Sequence, residues 1–148
     1  MTLQEVGTAL RQWRLTKERI VFFVLGFSAV LIYEFVARPL YRPYIYRNGI
    51  NDYHLADTIG NTLGSMATIF VFLGVFGQTR SQHLFLIKTI TVSILLYELA
   101  HPLLGKPIDP WDVAATLATG LLCVGLYLLV SPAKKPDEVP GSKGRSDL

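Results

Sequence analysis

IVFFVLGFSAVLIYEF, residues 20–35, is apolar along its length and carries a single charge, Glu34, near its far end. An α-helix rises about 1.5 Å per residue, so roughly 20 such residues cross the ~30 Å hydrocarbon core of a bilayer. Three further stretches of the same character follow, at 59–77, 84–104 and 113–130. Together they take up most of the 148 residues and leave no room for a separate soluble domain. The expected fold is all-α: an integral membrane bundle of four transmembrane helices, packed helix on helix with lipid outside. Residues 1–19 are expected to form a short cytoplasmic interfacial helix, 20–131 the transmembrane domain, and 132–148 a disordered cytoplasmic tail.

The composition agrees. Charged residues make up 17% of the chain against the ~25% usual for a soluble domain, and mean hydropathy is +0.38. The net charge of +3 matters less than its distribution. Arg11, Arg14, Lys17, Arg19, Arg80, Lys134, Lys135, Lys143 and Arg145 fall on one side of a four-span zigzag. Arg38, Arg42, Arg47 and Lys106 fall on the other. Short cytoplasmic loops are enriched in Lys and Arg, so the first side is read as cytoplasmic, with both termini there. Lys88, near the start of the third span, can snorkel to that same interface. Residues 1–19 place Leu3, Val6, Leu10 and Trp13 at helical spacing, with Arg11, Arg14 and Lys17 mostly elsewhere on the wheel, which suits an anionic inner leaflet. No small-x-small cleavage site follows the first apolar run, so that run is read as a retained anchor. The one cysteine, Cys123, lies inside the fourth span and allows no internal disulfide.

The zigzag brings four acids to one end. Glu34 closes the first span, Asp57 opens the second, Glu98 closes the third and Asp112 opens the fourth. Charge at membrane depth needs a partner or a purpose. Glu34 and Arg38 can pair as i, i+4 neighbours. Pro39, Tyr41, Pro43, Tyr44 and Tyr46 read as a loop at headgroup level. Asn51 or Asp52 is the expected cap of the second span, which would put Asp57 more than a turn inside the helix, on a face with Asn61 and Gly64. Gly60 and Gly64 form a small-xxx-small pair suited to close helix packing. Glu98 shares a face with Thr91 and leans toward His101. Asp109, Pro110 and Asp112 read as cap, first and third positions of the last helix. Thr116, Thr119 and Cys123 continue the face of Asp112. Asp57 with Asn61 and Asp112 with Thr116 repeat one spacing of four, which hints at two helical hairpins of similar design.

Two stretches carry a family resemblance: DTIGNTLGSMATIF at 57–70, and YELAHPLLGKPIDPWDVAATLATG at 97–120. They resemble the VanZ-like family of small bacterial membrane proteins. That family has an early Asp followed by Asn, Leu and Gly. Later come a Glu, a polar residue three on, a Gly-containing loop, a pair of Asp and a small-residue helix. Glu98 stands at the Glu position, His101 where Gln is common, Asp109 and Asp112 at the loop acids, and Thr116 where Asn is common, a departure. The resemblance covers about 38 of the 148 residues together with the four-span layout. It implies a multi-pass protein of the bacterial cell (inner) membrane, but no established reaction.

Several functions are disfavoured by what the sequence lacks. There is no phosphate-binding loop, no HExxH and no CxxC. Basic residues do not interleave with aromatics on the cytoplasmic side, so no nucleic-acid partner is expected. Glu98 and His101 lack the fuller ligand set of a bundle metal site, so no metal and no cofactor are expected. The leading reading is a binding or modulating protein. Glu34, Asp57, Asn61, Glu98, His101, Asp112 and Thr116 would line an outward-facing polar cleft, and Arg38, Arg42 and Arg47 would rim it, for a lipid or cell-wall-related ligand. Three alternatives stand beside it. One is a membrane-embedded hydrolase or transferase acting on a lipid-linked substrate, with carboxylates and His101 as acid and base. The others are a small ion- or proton-coupled carrier and a purely structural assembly subunit with a protein partner.

Overall fold

Local signals account for each helix start and stop. In the computed structural model, which describes residues 14–131, Thr16 caps the first helix by accepting from the Arg19 N–H at 3.3 Å. This helix, α1 (Lys17–Ile32), does not stop at Phe35. It runs on through a π-helical stretch, Tyr33–Tyr41, into α2 (Arg42–Asn48). The expected loop at Pro39–Tyr46 is therefore helical. A wider turn takes up Pro39, which has no N–H to donate and whose ring would clash in a regular α-turn. Pro43 falls in the first turn of α2, where the missing N–H matters least. Gly49, at φ 59°, ends the helix, and the Ile50 and Gly49 N–H groups return to the Ile45 and Tyr46 carbonyls at 3.2 and 3.4 Å. The continuous element spans 32 residues, roughly 48 Å, longer than a ~30 Å hydrocarbon core. Its far end, the π-helical stretch and α2, forms an arm.

The next helix, α3 (Leu55–Phe76), begins after two residues in the left-handed region, Tyr53 (φ 56°) and His54 (φ 65°). α4 (Arg80–Leu99) starts earlier than the apolar run suggested, because Thr79 and Gln82 form a reciprocal capping box. A 3₁₀ turn (His101–Leu104) and Gly105 (φ 73°) lead to α5 (Pro110–Val130). There Asp109 accepts from the Trp111 N–H at 2.9 Å, with Pro110 first and Asp112 third, as expected.

Helix α3 is central and packs against α1, α4 and α5. The core is apolar and aromatic: Phe22, Ile69, Phe70, Leu73, Leu86, Ile87, Cys123 and Tyr127. The outward faces are apolar too, with Val24, Phe27, Leu31, Phe85, Leu121 and Leu129 exposed. Four helices are long and apolar enough to cross a membrane, and an apolar exterior around an all-helical bundle is what lipid requires. No strand occurs among the described residues. The expected fold class holds. Of the expected interfacial segment at 1–19, Lys17, Glu18 and Arg19 belong to α1, and the part before Arg14 lies outside the described residues, as does the expected tail at 132–148.

Of the expected pair, Gly60 serves close approach and Gly64 does not. A Cβ on Gly64 would meet nothing within 4 Å, whereas one on Gly60 would lie 3.2 Å from the Tyr33 ring. Gly26 and Gly120 do the same between helices. A Cβ on Gly26 would lie 3.2 Å from the Ala67 carbonyl, drawing α1 onto α3. One on Gly120 would lie 2.6 Å from Thr91 Cγ2, drawing α5 onto α4.

Candidate functional site

The end of the bundle that holds the start of α3, the end of α4 and the start of α5 is polar inside. Asn61 on α3 is its hinge point. Its Nδ2 donates to the Asp112 carbonyl at 3.3 Å and to Thr116 Oγ1 at 3.0 Å, both on α5. Its Oδ1 accepts from Ser65 at 3.3 Å. The two residues that echo each other in sequence, each four beyond an Asp, thus meet across the α3–α5 interface. Thr116 is fully buried.

Glu98 reaches the same end from the last turn of α4 and is 5% exposed. His101 Nδ1 lies 3.4 Å from Glu98 Oε2, but that oxygen accepts no hydrogen bond. Asp112, His101 and Asp109 act electrostatically on Glu98. Asp109, His101 and Asp57 act likewise on Asp112. A buried carboxylate oxygen with no donor is costly, because its lost hydration is not replaced.

Asp57 sits differently from the expectation. Helix α3 begins at Leu55, so Asp57 is in its first turn rather than deep inside, and its side chain is exposed. It accepts from Tyr46 Oη at 2.5 Å and lies 3.3 Å from His54 Nδ1. The His54 ring stacks on Trp111 with centroids 5.0 Å apart, which joins the α3 start to the α5 start. The reason is Asp52. It caps as expected, accepting from the Ala56 N–H at 2.7 Å and from Tyr41 Oη at 2.9 Å, but Tyr53 and His54 stand between it and the helix, which starts only at Leu55. Asp52 and Tyr46 thereby tie the α1–α2 arm to α3.

Glu34 and the arginines do not join this cluster. Glu34 accepts from Arg38 at 3.1 Å, the expected i, i+4 pair, and both side chains are largely exposed. Arg42 donates to Tyr46 Oη at 3.4 Å and lies over that ring. Arg47 lines a separate open groove of about 740 Å³ on the arm, with Pro39, Tyr41, Pro43 and Tyr44. The seven expected cleft residues therefore divide. Asn61, Glu98, His101, Asp112 and Thr116 converge, Asp57 stands at the rim, and Glu34 is outside.

Sequence reasoning missed His54, Trp111 and Ser65, which had no motif of their own, and read Tyr46 as part of a headgroup-level loop rather than as a partner of Asp57. It also missed a second polar knot at the opposite end. There the buried Arg19 donates to the Gly77 carbonyl at 3.0 Å, and His83 Nδ1 lies 3.4 Å from Tyr127 Oη. Ser131 bonds to Glu18, which puts the start of α1 and the end of α5 at one end of the bundle. The spacing of Cys123 and Tyr127, four apart on the face of Thr116 and Thr119, was the available signal.

Searches against protein-family models, curated proteins and solved structures found no match.

Proposed function

We propose that this membrane protein binds a ligand at the Glu98–Asp112 end, which faces out of the cell, and that the ligand is a lipid or cell-wall-related molecule. The reading extends to a VanZ-like protein of the bacterial envelope with both termini cytoplasmic, on the strength of the short motifs and of the Lys and Arg distribution. One observation carries it. Glu98 is buried at the convergence of α3, α4 and α5, yet one of its oxygens accepts nothing. A purely structural acid would be expected to have its donors supplied by the protein. Hydrogen-bonding capacity left open beside a rim of polar side chains is what a ligand site needs.

The site is one-sided. Further in, the Thr119 and Thr91 hydroxyls donate to their own helices, to the Ala115 and Ile87 carbonyls at 2.7 and 2.8 Å. Cys123 beyond them is sealed among Phe22, Ile69, Phe70 and Leu73. That packing favours binding at one mouth over passage through the bundle.

Native mass spectrometry of the protein released from membrane without delipidation tests the proposal. Wild type should retain a defined lipid or precursor that Glu98→Gln loses at equal folding. Identical bulk lipid on both proteins would count against it.

A further inference from the structure

Three features of the Glu98 site bear on the chemistry of its occupant. The first is sign. Glu98, Asp112, Asp109 and Asp57 interact with one another there, while the basic side chains facing them are the His101 ring on the Glu98 side and the His54 ring and Arg42 on the Asp57 side. Lys106, in the intervening loop, is exposed and forms no ion pair among the described residues. The second is position. Glu98 lies in the last turn of α4, where the aligned peptide dipoles already place partial negative charge; that turn carries no Lys or Arg, and the nearby base is the His101 ring just beyond it. The third is the open acceptor. Glu98 Oε2 is buried and receives no hydrogen bond, although His101 Nδ1 is 3.4 Å away. What Oε2 lacks is a hydrogen-bond donor, and a positively charged donor suits the acids gathered around it.

A metal ion does not fit that description. Among the described residues no group of three or more His, Cys, Asp or Glu is arranged to hold one. A quaternary ammonium would call for a cage of aromatic faces. Here Trp111 is occupied by stacking on His54, and Tyr97 packs edge-on to His101. Resting on the ligand-binding reading above, we propose that this end takes a primary ammonium group. One N–H would donate to Glu98 Oε2 and another to the Asp112 carboxylate, with His101 at the rim. The group can belong to an amine-bearing lipid headgroup or to a small soluble amine.

The test uses the full chain in nanodiscs of equal phosphatidylethanolamine, phosphatidylcholine and phosphatidylglycerol, with retained lipids read by native mass spectrometry. In a second arm, ethanolamine is titrated into protein in pure phosphatidylglycerol nanodiscs and read by Trp111 emission in a Trp13→Phe background. Selective retention of phosphatidylethanolamine points to a lipid source, and an ethanolamine response alone points to a soluble one. Either supports the proposal if Glu98→Gln weakens it roughly ten- to a hundredfold, the value of a charge-assisted hydrogen bond. Asp112→Asn, which keeps the shape of the α5 start, should weaken it similarly, and circular dichroism checks that both variants fold. Lys106→Gln should behave as wild type. Amine binding that appears only in that variant would make Lys106 the native occupant and overturn the proposal. Equal retention of phosphatidylcholine, or selection of phosphatidylglycerol lost in Glu98→Gln, overturns the amine class but leaves a ligand site. No headgroup selection and no ethanolamine response, with folded variants unchanged, removes the site itself.

Discussion

Replacing Glu98 should make the empty protein more stable. In the native bundle Glu98 is 5% exposed and its Oε2 accepts no hydrogen bond. A buried acceptor left unsatisfied costs about 1–3 kcal/mol. Placing a carboxylate in the last turn of a helix adds roughly 0.3–1 kcal/mol against it. Glu98→Gln removes the charge, keeps the shape and offers an N–H₂ to the neighbouring Asp112 and Asp109. Glu98→Met removes the acceptor altogether. Ligand-free protein carrying either change is expected to gain about 1–3 kcal/mol. The measurement is the unfolding free energy in bicelles, by steric trapping or a reversible detergent titration, with both variants purified alongside wild type. The reasoning rests on Glu98 being held in readiness for an absent partner, a functional group retained at the expense of stability. A loss of more than about 1 kcal/mol in both variants would refute it and would mean that Glu98 holds the helices together.

Asn61→Leu and Thr116→Val should each destabilise the bundle. Their double-mutant cycle should give a coupling of about 0.6–1.7 kcal/mol, because Asn61 Nδ2 donates to Thr116 Oγ1 at 3.0 Å. Gly120→Val should cost about 1–3 kcal/mol by overpacking against Thr91, and Thr91→Ala should restore much of it. Tyr46→Phe removes the hydrogen bond to the exposed Asp57 and should change global stability by less than about 1 kcal/mol, while hydrogen exchange over α2 speeds up. In a Cys123→Ala background, Arg47→Cys should react with a membrane-impermeant thiol reagent applied to intact cells, and Arg80→Cys should react only after lysis. The reverse pattern would invert the topology inferred from charge.

The bundle was legible because bilayer thickness sets a length that apolar runs must match, and all four runs match it. The α5 start was legible because Asp109, Pro110 and Asp112 each fit one position of a helix N-terminus. The arm was not. Pro39 and Pro43 read as breakers, and nothing in the spacing shows that a π-turn absorbs one and a helix start the other. The second span was misplaced for a related reason. Asp52 does cap, but across two left-handed residues, so Asp57 moved to the first turn and out to the rim. Within the site, helical periodicity identified Asn61, Glu98, Asp112 and Thr116 because each lies on the inward stripe of its helix. The four-span zigzag put Glu34 among them, because that residue's position at the end of its span says nothing about which way a π-turn rotates it. Contacts between segments far apart in sequence, such as His54 on Trp111 or Arg19 on Gly77, leave no local trace.

The most direct test of the central claim is an experimental structure of the wild-type protein in lipid, from lipidic-phase crystals or cryo-electron microscopy with a rigid fiducial bound. The account predicts density for a non-protein group within hydrogen-bonding distance of both Glu98 and Asp112, with Asn61 still spanning α3 and α5. Glu98 fully satisfied by donors of the protein itself, with no such density, would contradict it.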